Sequence, residues 1–291
     1  MSPAMDAGHR FDGYSWDVDY LHVDGRTLQA TIYQPEGAGP FPVIVDVHGG
    51  AWVRGDVGRT EHALMNQSLA ALGMVVVAVD FRQSEHNHYP DSVADVNFAL
   101  RWVRAHASEF NGSARCIGAL GSSSGGHLVL LNSLRPDDPR YATLAQDGVA
   151  PDGARPDYLI LLCPIPDPQA RLAYAREVGN HNIVKFTESY FCTAGSIEDG
   201  NPQRILARCE QLKLPPALLL QGGPGAAGVV EDKNVSPEIQ QRFAAAYRAA
   251  GGQMQLELLP GAPHNFVNTA GEHLDAALAM MEVFIRQRLH G

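Results

Sequence analysis

The sequence predicts an α/β protein: a mostly parallel, eight-stranded sheet flanked by helices, with a small cap insertion. Three observations predict it. Short apolar runs without polar alternation, such as 43–47 and 74–80, are strands of the kind buried on both faces. Amphipathic stretches of helical period separate them, as parallel crossovers require. Between two of the later strands the chain runs for about 50 residues, far beyond an ordinary connection.

Taken in order, 17–22 and 27–34 are strands joined at Asp24-Gly25, a strong hairpin signal. Residues 43–47 form the next, fully buried strand. A helix over 60–72 stops at Gly73, and 74–80 returns as a strand. The stretch 91–109 is a long helix with Val93, Val96, Ala99, Leu100 and Val103 on one stripe. A strand at 116–121 leads into a helix at 125–134. Strands follow at 158–163, 217–221 and 254–259, and helices at 237–250 and 272–289. The first strands pair antiparallel and the rest parallel. Residues 164–215 carry Pro164, Pro166 and Pro168 and several aromatics, and are expected to form short helices capping the strand C-termini. One domain over 1–291 with this insertion is the simplest organisation.

Composition narrows the function classes. The chain has 291 residues, of which 45% are hydrophobic and 19% charged, ordinary for a globular protein. Its net charge of −10 argues against nucleic acid or an anionic membrane as partner, since both need a basic footprint. No apolar run approaches the ~20 residues that span a bilayer. Residues 1–19 are polar and lack the apolar core of a signal peptide, so a cytoplasmic location is expected. Cys116, Cys163, Cys192 and Cys209 are widely spaced; the first two lie in strand-like runs and are expected as buried free thiols. No metal-ligand spacing appears, and no cofactor is expected.

The stretch Gly121-Ser122-Ser123-Ser124-Gly125 sits between a strand and a helix. Gly-x-Ser-x-Gly in that setting is a nucleophile elbow: the glycines permit a tight turn with Ser123 at its apex, beside a helix N-terminus that favours negative charge. A serine hydroxyl needs a base, and the base an orienting acid. His264, just past the last strand, is the candidate base. Among the carboxylates on loops after the strands, Asp232 is the first candidate for the acid, with Glu231 and Asp167 as alternatives. His48-Gly49-Gly50-Ala51-Trp52 follows the strand at 43–47 as an oxyanion loop should. The candidate oxyanion site is Gly49, Gly50, Ala51 and Ser124; the N–H groups of Gly50, Ala51 and Ser124 are the donors, and the glycines allow close approach. Trp52, Tyr190, Phe191 and Phe266 are candidates to line an apolar substrate pocket.

These stretches, together with Val79-Asp80-Phe81-Arg82, Tyr89-Pro90, Asp95-Val96 and Pro263-His264-Asn265-Phe266, give the chain a resemblance over nearly its whole length. It resembles the α/β-hydrolase fold superfamily, in particular esterase/lipase-like members with a His-Gly-Gly-x-Trp oxyanion loop, including kynurenine-formamidase-like and bacterial feruloyl- or acetylxylan-esterase-like enzymes. The resemblance implies a Ser123–His264–Asp232 triad working through an acyl-enzyme on a small carboxylic ester. The same residues would serve an amide, formamide or lactone, and a non-catalytic binding protein on the same scaffold is the third reading. Alanine is common after the nucleophile in such enzymes; here the residue is Ser124. The oligomeric state is open, and a homodimer is compatible with everything above.

Overall fold

A computed structural model describes residues 10–208 and 211–289. Cys209 and positions 1–9 of the polar N-terminal run lie outside them. The chain runs β1 (Gly13–Val23), β2 (Arg26–Pro35), β3 (Phe41–Val47), α1 (Ala63–Ala71), β4 (Val75–Val79), α2 (Asp91–His106), β5 (Gly112–Ser122) and α3 (Ser123–Leu134). It continues through β6 (Tyr158–Leu162), α4 (Pro168–Glu177), α5 (His181–Phe191), α6 (Ala194–Asp199), α7 (Pro202–Ala207), β7 (Ala217–Gly223), α8 (Pro237–Ala249), β8 (Met254–Pro260) and α9 (Glu272–Leu289).

The eight strands form one sheet in the order β1-β2-β4-β3-β5-β6-β7-β8. The β1–β2 and β2–β4 pairs are antiparallel, and every later pair is parallel. Strand period sorts the core into two layers. Val43, Val45 and Val47 pack with Val93 of α2, Leu128 of α3 and Phe243 of α8. Ile44 and Val76 pack with Met65 of α1 and Leu274 and Phe284 of α9. Both sheet faces are covered, which is why the central strands need no polar alternation. Among the described residues no helix is long and apolar enough to cross a membrane.

Several boundaries differ from the sequence reading, three of them for a clear local reason. Helix α3 starts at Ser123, not Gly125, because the chain passes from strand to helix through a single left-handed residue. Helix α1 starts at Ala63; His62 before it has non-helical backbone, and its ring bonds Asp46 of β3. Strand β5 extends back to Gly112, where Phe41 pairs with it.

The stretch between β6 and β7 holds four short helices. Each has a polar side chain accepting a hydrogen bond from its first turn: Asp167, Asn180, Thr193 and Asn201. Pro168 and Pro202 fill the first helical positions, where the missing N–H costs nothing.

Candidate active site

The loops that follow β3, β5, β7 and β8 converge at the C-terminal edge of the parallel sheet, where open α/β sheets bind ligands. There they surround a cleft of about 540 Å³, closed on one side by α5. Ser123 and His264 both line it, together with Gly49, Gly50 and Ala51.

Ser123 has a φ of 50°, a left-handed conformation that is strained for a residue with a Cβ. The flanking glycines make it possible. A Cβ on Gly121 would come within 2.7 Å of Gly125 O and Gly126 N, and one on Gly125 would land on the carbonyl oxygens of Val47 and His48. The elbow is thus wedged against the start of the oxyanion loop. A Cβ on Gly49 would lie 3.3 Å from the Cβ of Ser123, so that loop passes directly over the serine.

The loop is itself constrained. His48 is buried, stacks on Phe81 at 4.5 Å, and donates from Nδ1 to Gly49 O at 2.8 Å. Burial lowers its pKa to about 4, so it is neutral at pH 7. A trans peptide points its C=O and N–H in opposite directions; holding the Gly49 carbonyl against His48 therefore turns the Gly50 N–H away from it. Ala51 and Trp52 continue with φ of 49° and 65°.

Of the three candidate acids, the structure brings Asp232 to His264. Asp232 is buried, and its Oδ2 accepts from His264 Nδ1 at 2.9 Å and Gln221 Nε2 at 2.9 Å. Its Oδ1 accepts the N–H groups of Asn234 (2.8 Å) and Val235 (3.1 Å). Burial raises its pKa, but the His264 interaction and these donors outweigh that and leave it at about 2. With Nδ1 donating, the neutral His264 ring carries its lone pair on Nε2. Glu231 is exposed, and Asp167 caps α4 while accepting from Asn201 Nδ2 at 2.9 Å.

The four candidate pocket aromatics divide. Phe266 lines the cleft. Trp52 and Tyr190 do not: they are fully buried and stacked on each other at 4.9 Å with planes 4° apart, and Phe191 meets Trp52 edge-on. Trp52 Nε1 donates to His127 Nδ1 at 3.0 Å, and His127 Nε2 donates to Gly200 O at 2.8 Å. These rings tie the oxyanion loop and α3 to the helices between β6 and β7. Their apolar area is spent on that packing rather than on the cleft.

A second Ser-His-Asp array escaped the sequence reading. His62 Nδ1 donates to Asp46 Oδ1 at 3.0 Å, and His62 Nε2 shares a hydrogen bond with Ser122 Oγ at 3.1 Å. Asn66 Nδ2 donates to Asp46 Oδ2 at 2.8 Å. Asp46 and His62 are buried; His62 and Ser122, the residue before Ser123, line the cleft. Burial depresses the His62 pKa, but the charge and hydrogen bond of Asp46 outweigh it and hold it above its ordinary value. The signal was an aspartate inside the apolar strand Phe41–Val47, which needs a buried partner.

Ligand atoms of Cys163, Asp232 and His264 lie within 4.8 Å of one another. Metal binding would need the thiolate, and burial together with the Asp232 charge drives the Cys163 pKa well above its usual value. The trio is accounted for as a protonated thiol beside the Asp232–His264 pair. Cys163 is buried as expected, whereas Cys116 is only half-buried.

Fold and site together define the class: this is an α/β-hydrolase fold. The family model described as BD-FAE matches residues 31–150. The probable carboxylic ester hydrolase LipM of Mycobacterium tuberculosis is 45% identical over 132 residues, covering 44% of this chain and 30% of that protein. Esterase LipC of the same organism is 28% identical over 259 residues, covering 85% of this chain and 59% of the relative. The chain thus spans less than two thirds of the length of either relative. Among solved structures, the thermophilic esterase Est2 of Thermogutta terrifontis with propionate bound superposes with a TM-score of 0.72 at 25% identity, covering 98% of this chain and 96% of that one. The same esterase has also been solved phosphorylated by paraoxon.

Proposed function

We propose that this chain is a serine hydrolase of small carboxylic esters. The observation that carries the reading is the strained Ser123 sharing a cleft with His264, whose Nδ1 is held by the buried Asp232 carboxylate. His264 Nε2 takes the Ser123 proton as Oγ attacks the ester carbonyl. Asp232, fully ionised, stabilises the imidazolium that forms. The N–H groups of Gly50, Ala51 and Ser124 receive the oxyanion; donors of this kind are each worth about 2.7–4 kcal/mol to the transition state. His264 returns the proton to the leaving alcohol, and water attacks the acyl-enzyme by the same steps in reverse. The names of the M. tuberculosis relatives and the covalent paraoxon adduct of the Thermogutta esterase support this reading. The helices between β6 and β7 serve as the cap that shapes the substrate side of the cleft.

Labelling with a fluorophosphonate, followed by peptide mapping, tests the nucleophile. The adduct is expected on Ser123, with Ser123→Ala losing both the label and turnover of a short p-nitrophenyl ester. Wild-type turnover in Ser123→Ala would sink the mechanism. A panel of esters, formamides and lactones then reads which acyl group is taken.

A further inference from the structure

Arg171, on α4, lines the cleft together with Ser123 and His264 yet is only 1% exposed. No carboxylate of the described residues lies within ion-pair distance of it, whereas buried Arg82 pairs with Asp95 at 2.9 Å. Its Nε donates to Asn234 O at 3.2 Å and its Nη1 to Thr187 Oγ1 at 3.2 Å. No hydrogen bond from its Nη2 is found among the described residues. The contrast with Arg101 is informative. That guanidinium is also buried without a carboxylate, but its Nε, Nη1 and Nη2 all donate to neutral oxygens.

The nearest compensation for Arg171 is the charge of Asp232, whose oxygens are already taken by His264, Gln221 and two N–H groups. Burial draws the Arg171 pKa down to about 9, which still leaves it charged at neutral pH. The Trp52 ring, 5.5 Å from Cζ, holds the guanidinium in place from one face. A buried cation with a donor left over, opening on a catalytic cleft, is built for an anion brought by the ligand.

We infer that Arg171 forms an anion subsite, and that the preferred substrate is an ester carrying a carboxylate on its acyl or alcohol side. The inference rests on the esterase reading. Its test compares matched esters. On the acyl side these are the mono-4-nitrophenyl ester of adipic acid and its methyl-capped neutral counterpart. On the alcohol side they are 4-carboxyphenyl butyrate and 4-carbamoylphenyl butyrate. Wild type is expected to favour the charged member of one pair at least tenfold in kcat/KM, chiefly through KM. Arg171→Gln is expected to reduce that ratio at least tenfold, with Arg171→Lys retaining part of it. Equal or better use of the neutral esters in both pairs by wild type would overturn the subsite, as would a parallel loss on charged and neutral members in Arg171→Gln. If Arg171→Gln does not fold, the wild-type ratios decide alone. Failure of this inference leaves neutral-ester turnover and Ser123 labelling intact; failure of the esterase reading removes both.

Discussion

His264 Nδ1 lies 2.9 Å from Asp232 Oδ2, and that carboxylate is held by three further hydrogen bonds in a site closed to water. The pair joins a loop after β7 to one after β8, adjacent parallel strands. Asp232→Asn keeps the shape but removes the charge and the acceptor that select the tautomer. We expect kcat to fall by about 10⁴, the loss seen in the template triad. Glu231→Gln, at an exposed position, is expected to stay near wild type. Steady-state kinetics on a p-nitrophenyl ester distinguishes the two, and the reverse order would mean that the acid is misassigned.

The Asp46–His62 pair makes a pH-dependent contribution to stability. The folded pKa of His62 is raised, so its stabilisation is complete below the unfolded value of 6.5 and fades as pH rises through the folded value. Removing the ring leaves a buried carboxylate with Asn66 as its remaining side-chain partner, a loss of about 3–5 kcal/mol. Denaturation of wild type and His62→Ala between pH 5.5 and 8.5 should show a gap that narrows toward high pH. A gap that widens would contradict the pairing.

Gly125→Ala should be far more damaging than an ordinary helix substitution. Its methyl would meet the backbone oxygens of Val47 and His48, and neither can move without shifting β3 or the oxyanion loop. The expected outcome is loss of ester turnover together with a lowered melting temperature. A protein of normal activity would show that elbow and loop are less tightly wedged than the geometry indicates.

Ser124→Ala is expected to stabilise. The Ser124 hydroxyl is buried with no hydrogen-bond partner, and an unsatisfied group of this kind costs about 1–3 kcal/mol. Alanine keeps the backbone N–H and removes the cost. Urea denaturation should show a gain of about 1 kcal/mol; a destabilised variant would reveal a partner for the hydroxyl.

Much of this protein was legible from residue order alone. The all-buried strand Phe41–Val47, the Gly-rich elbow and the positions of Ser123 and His264 after their strands depend on local period and turn chemistry, which a linear sequence carries. The length and prolines of the stretch between β6 and β7 predict short helices there, but not their number or placement. Tertiary structure decided which carboxylate meets His264, because Glu231 and Asp232 are neighbours in sequence and the fold sets which of them faces inward. It also decided that Trp52, Tyr190 and Phe191 pack on one another while Phe266 lines the cleft, since an aromatic residue serves equally well in either place. His62 meets Asp46 and Ser122 across 16 and 60 positions of chain, and Arg171 reaches the cleft from α4. Such contacts are set by how strands and helices pack, and a buried charge reveals its purpose only when its surroundings are known.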